Sequence, residues 1–179
     1  MAKSARILDL IYALRETDRS EGFFRPIVEA ENLTWHFEIS EFDKLGLLVN
    51  HIEIKAHKAS PLPLEKQFEL LKNKITYLEE FTLIEYDHTN AALLLRSRVP
   101  QRLGNTVIYY EILLKGGNQL SFGRYEFDQA IGRRRVLPAN LARQTFGRLL
   151  VDFESLFSHR RGAHAPTNSG SDENNEADR

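Results

Sequence analysis

Apolar and polar residues alternate most regularly over residues 91–157, and that stretch predicts strands followed by one amphipathic helix. Residues 91–99 place Leu93, Leu95 and Val99 on one face, with Arg96 and Arg98 on the other. Residues 107–114 are apolar on both faces, as in a central strand covered from two sides. Lys115-Gly116-Gly117-Asn118 predicts a hairpin turn, since paired glycines supply positive φ angles, and residues 120–127 predict the returning strand. Gly132-Arg133-Arg134-Arg135 reads as a loop. Pro138 to Asn140 opens a last helix with the stripe Ala142, Phe146, Leu149, Leu150, Phe153, Leu156 and Phe157.

Upstream, Ile7, Leu10, Ile11 and Leu14 recur at the spacing of one helix face, and that helix ends near Glu16. Phe23 and Phe24 precede Arg25-Pro26, where proline steers the chain into extended backbone. Leu33, Trp35, Phe37 and Ile39 alternate with polar residues and predict a half-buried strand. After a turn at residues 43–46, residues 48–57 predict its partner, with Ile52, Ile54 and Ala56 facing away from His51, Glu53, Lys55 and His57. Ser60-Pro61-Leu62-Pro63 then opens a second helix carrying Leu64, Phe68, Leu71, Ile75 and Leu78. Residues 81–86 predict one more strand. The expected class is α+β: an antiparallel sheet of about six strands with two to three packed helices, in one domain over residues 1–158. Residues 159–179 are too polar and acidic to form a core and predict a disordered tail.

The chain has no cysteine, which excludes disulfides, thiolate metal sites and a cysteine nucleophile. No apolar run reaches the roughly 18 residues of a membrane span, and the first residues lead into an amphipathic pattern without a signal core. A cytoplasmic setting without membrane association is expected. The net charge of -1 conceals an asymmetry: residues 1–95 carry -5, residues 96–161 carry +7, and residues 162–179 carry -3. Such polarity attracts an anionic partner or holds the chain's own parts together, and the acidic tail can screen the basic region.

Lys74-Ile-Thr-Tyr-Leu-Glu79, Leu93-Leu-Leu-Arg-Ser-Arg-Val-Pro100, Tyr109-Tyr-Glu-Ile-Leu-Leu114 and Arg124-Tyr125 together resemble a pattern found in a family of uncharacterised bacterial proteins. The resemblance spans residues 62–157. It implies a bacterial source and brings no activity with it. The order of helix, meander and helix is also similar in architecture to type III secretion chaperones, a likeness of fold that says little about function.

Candidate chemistry is sparse. His36 on one strand, with His51 and Glu53 on its hairpin partner, is a set that can ligate a metal, although alternating strands place polar residues there in any case. The solvated sheet face is the favoured reading, so neither a metal nor a cofactor is expected. Glu79-Glu80 and the Glu85/Asp87 pair read as surface charge, since nothing in the sequence buries them. No nucleophile elbow, P-loop or dinucleotide fingerprint is present, and Gly116-Gly117 precede a strand rather than a helix. The sequence therefore points away from an enzyme.

Nine arginines between Arg96 and Arg148, against one lysine, are the feature with functional content, because guanidinium suits bidentate contact with carboxylate or phosphate. The first expectation is a non-catalytic interaction or adaptor module, self-associating as a homodimer or holding a protein partner. Arg96, Arg98 and Arg124 would supply polar contacts, and Tyr109 and Tyr110 would anchor it. The alternative is an RNA or single-stranded DNA binder using residues 96–148, with Arg133, Arg134, Arg135 and Arg143 on the backbone. A secretion-chaperone-like role stands third. Internal pairing of the arginines with Glu111, Glu126, Asp128 and the acidic first half is the plainer account of the same residues.

Overall fold

Strands form wherever apolar side chains recur at every second residue. In the computed structural model, which describes residues 3–17, 22–30 and 32–158, they join into one antiparallel sheet. The order along the chain is α1 (Lys3–Thr17), β1 (Ile27–Ala30), β2 (Leu33–Phe42), β3 (Gly46–Ala56), α2 (Leu64–Lys74), β4 (Phe81–Asp87) and β5 (Ala92–Ser97). There follow β6 (Gln101–Leu103), β7 (Thr106–Lys115), β8 (Gln119–Asp128), β9 (Arg133–Val136), β10 (Ala139–Ala142) and α3 (Arg143–Glu154). The main path across the sheet is β1-β2-β3-β8-β7-β5-β4. The chain is α+β, with three helices on one face of that sheet among the described residues.

The sheet forks. β3 pairs with β8 from Lys55↔Gln119 to His51↔Gly123, and beyond that point the two strands part. β9 then pairs with the continuation of β8, and β10 pairs with the continuation of β3. One short run of chain thus lines both sides of the fork. The split coincides with a register shift in β2–β3 between Glu38 and Ile39, which leaves Asn50 as an extra residue. Bulges of this kind bend a strand and raise its twist. Asn50 is buried there and its Oδ1 accepts from Ser40 Oγ at 3.2 Å. Gly46 is needed where β10 closes in, because a Cβ at that position would lie 2.6 Å from the Leu141 backbone oxygen.

One continuous core fills the helix-bearing face. Trp35, Phe37, Ile52, Ile54, Ile112, Leu114 and Phe122 project from the strands, and Phe146, Leu149, Leu150 and Phe153 of α3 lie over them. Phe37 meets Phe146 edge-on at 6.0 Å between ring centroids, and Phe122 meets Phe153 at 5.7 Å. α1 buries Ile7, Leu8 and Ile11, with Leu8 against Gly147 of α3, while Leu10 and Leu14 are 38% and 40% exposed. Ile7 and Ile11 of the expected stripe are thus buried, and Leu8, turned toward α3, takes the place of Leu10 and Leu14 on that face.

Among the described residues, ten strands replace the six expected. The additions β1, β6, β9 and β10 are three or four residues long, too short for a period-two pattern to announce them. Residues 133–135 form a strand on β8 instead of a loop, and β10 occupies the place expected for the start of the last helix. β5 stops at Ser97, so Val99, expected on the core face, is 80% exposed beside Pro100, which has no N–H to extend a ladder. α2 ends at Lys74, so Leu78 lies beyond the helix expected to carry it. Residues 159–179, expected to be a tail, lie outside the described residues. Among the described residues, no helix is long and apolar enough to cross a membrane.

Candidate functional site

Alternation along β7 sends Ile108, Tyr110, Ile112 and Leu114 to the helix side, and Val107, Tyr109, Glu111 and Leu113 to the other. No described helix covers the second side. Register brings Arg96 of β5 opposite Glu111, and Tyr125 of β8 opposite Tyr109. Arg134, at the second position of β9, points to the same side. Arg96 Nε donates to Glu111 Oε2 at 2.8 Å, and Arg134 Nη2 donates to Oε1 at 2.6 Å. One carboxylate, 10% exposed, thus holds two guanidiniums.

The tyrosines complete the lattice. The Arg134 guanidinium carbon lies 3.7 Å from the centroid of Tyr125 and 5.9 Å from that of Tyr109, and the Arg96 carbon lies 4.9 Å from that of Tyr109. Gly123 makes room for this stack, since a Cβ there would meet the Tyr125 ring at 3.0–3.1 Å. Burial pulls the Arg134 pKa down, but the bond to Glu111 and its charge outweigh that and raise it further. Burial raises the Tyr125 phenol against the lowering effect of Arg134. Both groups keep their charge state throughout the physiological range.

Beside this lattice lies a cleft of about 440 Å³ between β4, β5, β6, β7 and the β8–β9 hairpin. Arg96, Arg98, Arg102 and Arg134 line it, with Tyr109 and Phe127 among the apolar lining. Arg98 Nη1 donates to Glu80 Oε1 at 2.8 Å. Arg102 pairs with no carboxylate among the described residues. Among the described residues, four guanidiniums therefore answer two carboxylates, Glu111 and Glu80, leaving two positive charges in surplus. Ile84 of β4 stands exposed in the lining, whereas Leu103 alternates with Arg102 and so projects from the other side of β6.

The residues expected to act together divide between the two faces. Arg96, Arg98 and Tyr109 meet at the cleft. Arg124 and Tyr110 lie on the helix side, where the guanidinium sits 5.6 Å from the Tyr110 centroid and Tyr110 stacks on Phe122 at 5.7 Å. Arg124 Nε is buried there without a hydrogen-bond partner among the described residues. Of the backbone-binding set, Arg134 alone lines the cleft. Arg135 pairs with Glu126, Arg133 is exposed, and Arg143 lies over Tyr12 at 4.0 Å and 3.7 Å from Asp9. Internal pairing thus accounts for several arginines, and Glu111 and Glu126 are among their partners.

His51 stands opposite Glu38, and His36 opposite Glu53. His51 and Glu53 border a shallow depression of about 260 Å³ that His36 does not enter. Among the described residues, no group of three or more His, Asp or Glu is placed to hold a metal. Burial lowers the His51 pKa against the opposing pull of Glu53 and Glu38.

Reading along the sequence missed the pairing of Arg96 with Arg134 across Glu111, and it did not single out Arg102 and Tyr125 within the arginine-rich region 96–148. The available signal was the alternation Arg133-Arg134-Arg135-Val136 after Gly132, which as a strand puts one arginine on each side in turn. No protein-family model matches this chain, and no match is found among the curated proteins or the solved structures.

Proposed function

We propose that this chain is a non-catalytic interaction module that holds an anionic segment of a protein partner in the cleft lined by Arg96, Arg98, Arg102 and Arg134. The convergence of these four arginines on the sheet face away from the helices carries the reading. The Arg96 and Arg134 guanidiniums are held by tyrosine rings and by Glu111, so little ordering cost remains for those two on binding. The exposed aliphatic side chain of Ile84, with Val107 and Phe127 in the same lining, favours a protein over a nucleic acid. Tyr109 and Tyr125 already have guanidiniums against their faces, and Tyr110 is stacked in the core, so a platform for bases is lacking among them. A bacterial, cytoplasmic setting belongs to the same proposal, supported by the chain's pattern and its lack of cysteine. Self-association would use the edge strand β4, and a secretion-chaperone role would use the same cleft.

The test is affinity capture from source-cell lysate, with and without nuclease, using wild type, an Arg98→Glu/Arg102→Glu double variant, and Arg133→Glu as control. A defined protein that survives nuclease, persists with the control and is lost with the double variant supports the module. Companions lost on nuclease treatment would favour the nucleic-acid reading. Sedimentation over a concentration series reads self-association, and a strict monomer with no retained partner overturns the proposal.

A further inference from the structure

The geometry points to a phosphomonoester, carried on an exposed segment of the protein partner, as the group that the arginine cleft takes; this rests on the binding reading above. The surplus of two positive charges matches a phosphoryl group, which carries about -1.5 to -2 at neutral pH. A carboxylate or a phosphodiester brings one negative charge and leaves the cleft half-compensated. The donors match as well. Arg96 engages Glu111 through Nε, so its terminal nitrogens keep four N–H donors, and Arg102 commits none to a described carboxylate. Arginine clusters are the general means of reading phosphorylated segments, since three strong acceptor oxygens suit several guanidinium forks at once.

Glu111 acts as a positioning residue. It is nearly buried, fixes Arg96 and Arg134 from below, and leaves their open sides toward the cleft. Without it the two guanidiniums would repel each other. Ile84, Val107 and Phe127 in the lining provide apolar contacts for residues flanking the phosphorylated one. Among the described residues no histidine lines the cleft, whose charged lining is Arg96, Arg98, Arg102 and Arg134 with Glu111 and Glu80 as their partners. The second ionisation of the phosphoryl group, near pH 6, therefore governs how binding varies between pH 5 and 7.5.

The experiment is a titration of the full ¹⁵N-labelled chain with N-acetyl-O-phosphoserine methylamide, following the arginine Nε–Hε resonances. N-acetyl-glutamate methylamide and a 5′-phosphorylated oligodeoxynucleotide serve as comparisons. The expected result is saturable binding of the phosphoserine compound at pH 7.5, roughly tenfold tighter than the glutamate compound. It should weaken several-fold at pH 5.0, be lost in Arg102→Ala and be retained in Arg133→Ala. Equal affinity for glutamate, a flat response to pH, or no binding overturns the phosphomonoester, while the partner-capture test of the cleft stands or falls on its own. Tighter binding of the oligonucleotide than of the phosphoserine compound overturns a protein as the source.

Discussion

The two faces of β7 are built from one strand by opposite means. Toward the helices, Ile112 and Leu114 are fully buried in a hydrophobic core closed by Phe122 and Phe153. Away from them, Val107, Tyr109 and Glu111 are also buried, but the cover is arginine: guanidinium planes lie over tyrosine rings and pair with one carboxylate. The first face gains stability by removing apolar area from water. The second keeps cationic groups at the surface in fixed positions, an arrangement suited to binding. A sheet side without a helix layer can therefore be covered and still display charge.

Changes to the two faces should separate stability from binding. The largest effect is expected from Phe153→Ala, which empties a fully buried ring site and should cost about 3–5 kcal/mol in urea unfolding. Glu111→Gln comes next. Removing the charge that holds Arg96 and Arg134 should cost about 1–3 kcal/mol, and it should broaden or shift both Nε–Hε resonances, which Phe153→Ala leaves in place wherever the protein stays folded. If Glu111→Gln proves neutral and leaves those resonances unchanged, the second face is not organised by its carboxylate. Gly123→Ala should cost toward the lower end of about 1–3 kcal/mol, by displacing the Tyr125 ring from beneath Arg134, and near-ultraviolet circular dichroism reports that movement.

The smallest effect concerns His51, on the open face but away from the cleft. Its folded pKa lies below the ordinary 6.5, so below that value the unfolded chain binds the proton more readily. The stability from a neutral His51 is complete above about pH 6.5 and falls as pH drops through the unfolded value. Urea midpoints for His51→Gln should accordingly vary less than wild type between pH 7.5 and 5.5. An unchanged slope would show that His51 does not titrate between the two states in that range.

Local sequence pattern determined much of this molecule. The α+β class, the six longer strands, the Gly116-Gly117 hairpin and the buried stripe of α3 all follow from periodicity and turn chemistry, because each is a property of neighbouring residues. The arginine wealth of residues 96–148 was equally legible. Which arginines meet was not. Arg96 and Arg134 are 38 positions apart in the sequence, and they share Glu111 only because β5 and the β8–β9 hairpin flank β7 in a particular register. A shift of one residue would have sent Arg134 to the helix side and Arg135 to the cleft. The fork between β3 and β8, the strands that line it and the division of Arg96 and Tyr109 from Arg124 and Tyr110 were likewise decided by long-range pairing. Side-chain pattern specifies which face of a strand is apolar, but only the assembled sheet specifies which polar groups the other face brings together.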